Sequence, residues 1–199
     1  MTLNNNENAK KAIKDEKLLS ELLEGVISKE DEIRYPNFKT LLTISEENPK
    51  VLYPKWDFFA GLIKSDNSYK KLIALRLIAN LTKVDSENKF EKIFDNYYSI
   101  LDEDKTMTAG HLAGNSGKIA KAKPELQSKI TNRLLNIDKT HRGRQKELIK
   151  AYAIEAFDEY YEESKDKKKI IGFVKKQLES ESPKTRKKAK EFLEKWDVK

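Results

Sequence analysis

His111 and His141 are the only imidazoles in the 199-residue chain, and there is no cysteine. Side-chain zinc sites gather four close donors, typically Cys or His at short helical spacings. No helix here carries a histidine with a second ligand three or four residues on, and the absence of cysteine excludes disulfides and thiolate sites. As a general base His111 would need a neighbouring nucleophile and an orienting acid, and it has only Ser116 and Thr108 at weak spacings, so its expected role is a polar contact between helices. Gly110, Gly114, Gly117 and Lys118 superficially suggest a phosphate loop, but no strand precedes them and the lysine does not follow the required run. Trp56-Asp57 is the best local pairing of an aromatic with a carboxylate. Trp56 also fits an apolar stripe with Leu52, Phe59 and Ile63, which reads as core. The expectation is a protein with no cofactor and no catalytic residues.

Charge is more informative. The chain carries 40 Lys and Arg against 33 Asp and Glu, a net +7, but residues 1–104 hold 16 bases and 19 acids. Residues 105–150 hold 11 bases and 3 acids, and residues 165–190 again 11 and 3, with five acids and no base between them at 151–164. A field is set by where charge sits, so the binding candidates lie in the C-terminal half. Lys129 and Arg133 are four apart and share a helix face. Lys168, Lys169, Lys175 and Lys176 belong to a later helix, and Arg142 and Arg144 open the one between. Lysine outnumbers arginine, there is no base-reading motif, and the acidic block interrupts the basic track. A protein partner with an acidic surface or peptide is therefore expected, with sequence-nonspecific nucleic-acid binding as the alternative and partner identity and oligomeric state open. Tyr97, Tyr98 and Trp56 are candidate apolar anchors if exposed.

These residues need helices to position them. Asp66 to Leu101 reads as a complete unit: a polar opening, a helix with Leu72, Leu75, Ile78 and Ala79, a break near Val84-Asp85-Ser86, and a second helix with Phe90, Ile93, Phe94, Tyr97 and Ile100. Both follow a three-to-four-residue period. One such hairpin cannot bury its dry faces alone. Second-helix anchors recur at Leu52, Phe90, Leu126 and Ile170, spaced by 38, 36 and 44 residues, within the range of two-helix repeats. Residues 1–8 are expected to be a flexible N-terminus. Residues 9–199 form one repeat domain of about four to five helix pairs, opened by a single amphipathic helix from about Ala9 to Ile27. Leu178 is expected inside. Gly110, Gly114 and Gly117 each cost about 1 kcal/mol in a helix interior. Close approach of a neighbouring helix is the expected compensation, with a ligand or a local break as alternatives.

With this pattern the chain resembles the HEAT-repeat family, within the armadillo-like superhelix group, over roughly Glu32 to Trp196. The most specific piece is Ser65 to Leu81, where a polar turn leads into an apolar helix carrying Arg76; Asp104 to Ala120 and Ser182 to Leu193 are weaker copies. The resemblance implies an all-α, right-handed superhelix of antiparallel pairs whose second helices line a concave wall. It also implies a protein-binding scaffold, less often a nucleic-acid binder. Relatives similar to the DNA-alkylation-repeat glycosylases set aromatics and a carboxylate on that wall, but their full pattern has no counterpart here. No run of 18 apolar residues and no signal-peptide core is present, so no membrane is expected and the cytoplasm is the simplest address.

Overall fold

Each long helix starts from a polar turn that feeds an apolar run. The computed structural model describes residues 5–198, and among these the regular structure is entirely helical. Four entries share one device. The hydroxyls of Ser28, Ser65, Ser164 and Ser180 accept from the backbone N–H two residues on, at Glu30, Asn67, Asp166 and Ser182. Each of those donors is the residue preceding a helix. At two entries an arginine six residues after the serine adds a second tie. Arg34 donates to the carbonyls of Ser28 and Lys29, and Arg186 to those of Ser180 and Glu181. The cap positions of the five long helices, Glu30, Asn67, Lys105, Gln145 and Ser182, recur at 37, 38, 40 and 37 residues.

The chain divides into two compact units, residues 1–90 and 91–199. The first contains α1 (Asn5–Ala12), α2 (Glu16–Gly25), α3 (Asp31–Glu47), α4 (Pro49–Leu52), α5 (Trp56–Leu62) and α6 (Ser68–Leu81). The single opening helix expected over Ala9 to Ile27 is instead two. Asp15 interrupts it because its carboxylate accepts from the N–H groups of Lys17 and Leu18 at 2.9 and 3.1 Å and caps a new helix. Residues 1–4 of the stretch expected to be flexible lie outside the described residues, while Asn5–Asn8 form the first turns of α1.

Helix α3 packs on α1, α2 and α6, and α6 packs on α5. From Ile73 to Leu81 only Arg76 escapes full burial, so α6 is apolar nearly all round, as a helix enclosed by its neighbours must be. Arg76 lies over the Phe38 ring. The buried Asn80 amide donates to Ser45 Oγ at 2.8 Å, joining α6 to α3 with a satisfied polar contact. After α6, Asp85 takes the Tyr53 hydroxyl at 2.7 Å and the N–H groups of Lys89 and Phe90. Burial, then the Asp85 carboxylate, pushes the Tyr53 phenol up to about 12. Trp56, 1% exposed, is core and not a binding anchor.

Helix α7 (Lys89–Ser99) leads into the second unit, which contains α8 (Thr106–Ala122), α9 (Gln127–Leu135), α10 (Ile137–Thr140), α11 (Lys146–Tyr160), α12 (Lys167–Lys176) and α13 (Pro183–Lys195). α8, α11 and α13 lie side by side, and α9 contacts α8, α11 and α12. Tyr97 and Tyr98 are fully buried, which removes them as exposed anchors. The Tyr98 hydroxyl donates to Ser116 Oγ at 3.0 Å, and Tyr160 pairs with Thr131 at 2.8 Å. Burial raises both phenols well above the usual tyrosine range. Leu178 is 43% exposed: the chain tightens into a 3-10 turn at Gln177–Glu179, and Gln177 takes the buried position.

Candidate partner-binding surface

α12 begins just past Asp166, whose carboxyl is held below the usual carboxylate range, first by Lys169 and then by the Ser128 hydroxyl. Its inward side is Ile170, Phe173 and Val174. Lys168, Lys169, Gly172, Lys175 and Lys176 are exposed. Lys169 Nζ is 2.7 Å from Asp166 Oδ1, whereas among the described residues Lys168 and Lys176 have no ion-pair partner.

The cations of α9 are placed differently. Lys129 lies 3.3 Å from Asp95 of α7 and over the Phe94 ring at 4.0 Å. Arg133 is half-buried and donates to the Tyr98 carbonyl and to Asp102 Oδ2, both at 2.7 Å. Arg142 meets the same residue, its Nε donating to the Asp102 carbonyl at 3.1 Å. The structure thus gathers Arg133 and Arg142 around Asp102 as an internal tie, leaves Lys129 in a surface ion pair, and leaves Arg144 exposed in the connector before α11. Two neighbouring bases are also engaged. Lys146 donates to the Asp138 carbonyl at 2.7 Å. Lys150, 5% exposed, is bound by Asp138 and Glu147; burial alone would depress it, and the two carboxylates together raise it.

Two acids of the block before α12, Asp158 and Glu155, are directed to α13. Asp158 accepts from Trp196 Nε1 and Lys195 Nζ, both at 2.8 Å, and Glu155 lies 3.7 and 3.4 Å from Lys184 and Lys188. These acids therefore offset charge on α13, not the lysines of α12. Sequence spacing missed this because residues far apart in number pair across α11 and α13.

The two histidines are not together in a site. His141 is buried in the connector, its Nδ1 2.9 Å from the Leu101 carbonyl oxygen. A Cβ at Gly143 would come within 2.5 Å of both His141 Nε2 and the Asp104 carbonyl oxygen, so only glycine fits there. His111 is on the exposed side of α8. α8 is continuous, which removes the local break, and its glycines face α11. At Gly117 a Cβ would meet the Ala156 carbonyl oxygen at 2.8 Å and the Glu159 carboxylate at 2.7 Å. At Gly110 it would meet the Tyr152 ring at 3.1 Å, and at Gly114 it would find ordinary contact at 3.7 Å. Lys184 covers the Tyr152 ring at 3.5 Å. No helix among the described residues is long and apolar enough to cross a membrane.

No protein-family model and no curated protein matches the chain. Two solved structures are similar in fold. One is the crystal structure of an engineered protein, 15% identical, with TM-score 0.54 over 94% of this chain and 86% of the other. The second is a designed armadillo repeat protein, 16% identical, with TM-score 0.54 over 95% and 86%. Helices packed in pairs within each unit, polar openings every 37 to 40 residues, and these likenesses make the fold an all-α, armadillo-like repeat solenoid.

Proposed function

We propose that the protein is a non-enzymatic scaffold that holds a partner protein, docking an acidic surface or peptide of that partner on the basic face of α12. The observation that carries this reading is the contrast in compensation: Lys168 and Lys176 stand exposed without acidic partners among the described residues, while Lys129, Arg133 and Lys150 are engaged inside the chain. Uncompensated charge on a helix fixed by a packed layer attracts a complementary surface and sets its register. The fold supports the same reading, since a designed armadillo repeat protein is among its structural neighbours. Arg144, exposed before α11, is a further candidate contact for the partner. Lys129, Arg133 and Arg142 support the helix layer.

The test titrates an alanine–glutamate peptide and a short DNA duplex into the wild type and into K168E/K176E, across a salt series. At about 0.15 M salt, where screening acts over about 8 Å, the peptide is expected to bind the wild type and not the variant, and duplex binding is expected to vanish. Micromolar duplex binding at that salt, lost in the variant and unmatched by the peptide, would assign the face to nucleic acid instead. Lys168 and Lys176 are preferred to Arg133 for this test because reversing Arg133 also breaks the tie to Asp102 and Tyr98.

A further inference from the structure

We infer that the element of the partner docked on α12 is an acidic α-helix that crosses directly over Gly172. The inference rests on the scaffold reading above and adds the shape of the occupant.

The segment Lys168-Lys169-Ile170-Ile171-Gly172-Phe173-Val174-Lys175-Lys176 is symmetric about its glycine. Lysines stand three and four residues to either side, so at 3.6 residues per turn all four fall within about 60° of Gly172 around the helix axis. Gly172 is therefore the centre of a basic frame on a single helix face, exposed to solvent in the middle of α12. Glycine weakens a helix interior relative to alanine. At Gly117 that weakness is offset by the Ala156 carbonyl oxygen of α11, which a side chain would strike. At Gly172 no atom of the described residues, apart from the adjoining residues and the local backbone of α12, lies within 4 Å of the place a Cβ would occupy. Nothing inside the molecule uses the space, and an absent side chain on an exposed face lets another backbone come close.

The chemistry of the frame selects the occupant. It contains no arginine, the residue suited to bidentate phosphate recognition. Helix-interior N–H groups are already committed to the intrahelical ladder, so the face offers no backbone donors to a phosphate. Flexible ammonium groups around an open floor suit carboxylates carried on side chains. Lys168 and Lys175, and likewise Lys169 and Lys176, are seven residues or about 10.5 Å apart along the axis. A partner helix with glutamates at i, i+3, i+4 and i+7 presents the same period. Small residues at the crossing bring two helix axes to the short end of the usual 8–10 Å.

The experiment uses the full chain and two alanine–glutamate peptides of equal length and equal glutamate content. One carries its glutamates on a single helical face around a central alanine, and the other is interrupted by prolines that prevent the helix. Affinities are measured at about 0.15 M salt for the wild type, G172L and K168E/K176E, with thermal melts of each protein. A Cβ at this position meets nothing beyond its own stretch of helix among the described residues, so the G172L melt is expected unchanged or higher. Its affinity for the helical peptide is expected to fall by about tenfold or more, while K168E/K176E loses binding and the interrupted peptide binds the wild type weakly. If G172L binds as well as the wild type while K168E/K176E does not, the close crossing is wrong and the scaffold reading stands. Equal binding of the two peptides overturns the helical occupant. Binding undiminished in K168E/K176E, or none by either peptide, overturns the scaffold reading with it.

Discussion

α8 and α12 each hold a glycine in the middle of a helix, in opposite surroundings. Gly117 is pressed against the backbone of α11, and Gly172 looks into open space. α9 and α12 differ in the same way for charge. Both are short amphipathic helices with basic exposed faces, yet α9 directs Lys129 and Arg133 onto Asp95 and Asp102 of the preceding segment, and α12 keeps Lys168 and Lys176 unpaired among the described residues. One residue type thus serves packing on one helix and openness on another, and only its neighbours decide which.

The sharpest way to break this comparison is at Gly117. Gly117→Leu is expected to destabilise by at least ~1–3 kcal/mol through overpacking against α11, and Gly117→Ala should also lower a denaturant midpoint because the obstructing atom is backbone. A neutral result at both would mean the α8–α11 approach is looser than described. Next is Arg133→Met, which keeps the aliphatic body and leaves the Tyr98 carbonyl and Asp102 without their donor. A loss of about 1–3 kcal/mol is expected, read from the same melts, and a negligible change would return Arg133 to the free basic surface. Gly172→Ala is expected to act in the other direction, stabilising by about 1 kcal/mol. Lys129→Ala should change stability by no more than ~1 kcal/mol, as for other exposed ion pairs.

The smallest expected effect is one of pH. The folded Asp166 carboxyl is depressed by Lys169 and Ser128, so the stability it contributes is present above the ordinary carboxylate range and lost as pH falls through its folded value. Asp166→Asn should flatten that part of the acid limb. An unchanged acid limb would show that the Lys169 contact does not form in solution.

The repeat architecture was legible because it is written in period. The apolar stripe of α6 and the polar opening before Ser68 are local signals, and local signals survive in a single sequence. The glycine-rich α8 was legible too, since three glycines in a helix demand compensation, and the tight approach at Gly117 supplies it. The basic surface was less so. Lys129, Arg133, Lys168 and Lys169 look alike along the chain, but Asp95, Asp102 and Asp166 stand beside three of them, and two of those pairs span more than thirty residues. The interruption at Asp15 was missed for a different reason. The apolar period runs straight through it, and only the capping competence of the carboxylate marks the break.

The serine turns that open α3, α6, α12 and α13 also bear on how the chain folds. Each closes over two residues, and the arginine ties before α3 and α13 over five or six. Closing so short a loop loses little chain entropy, and contacts this local form quickly. The junctions between helices can therefore exist before any helix has found its neighbour, so each repeat begins as its own nucleus and the chain grows by docking units already bent in the right place. In hydrogen exchange, the amides of Glu30, Asn67, Asp166 and Ser182 should then gain protection ahead of those in the helix layers they introduce.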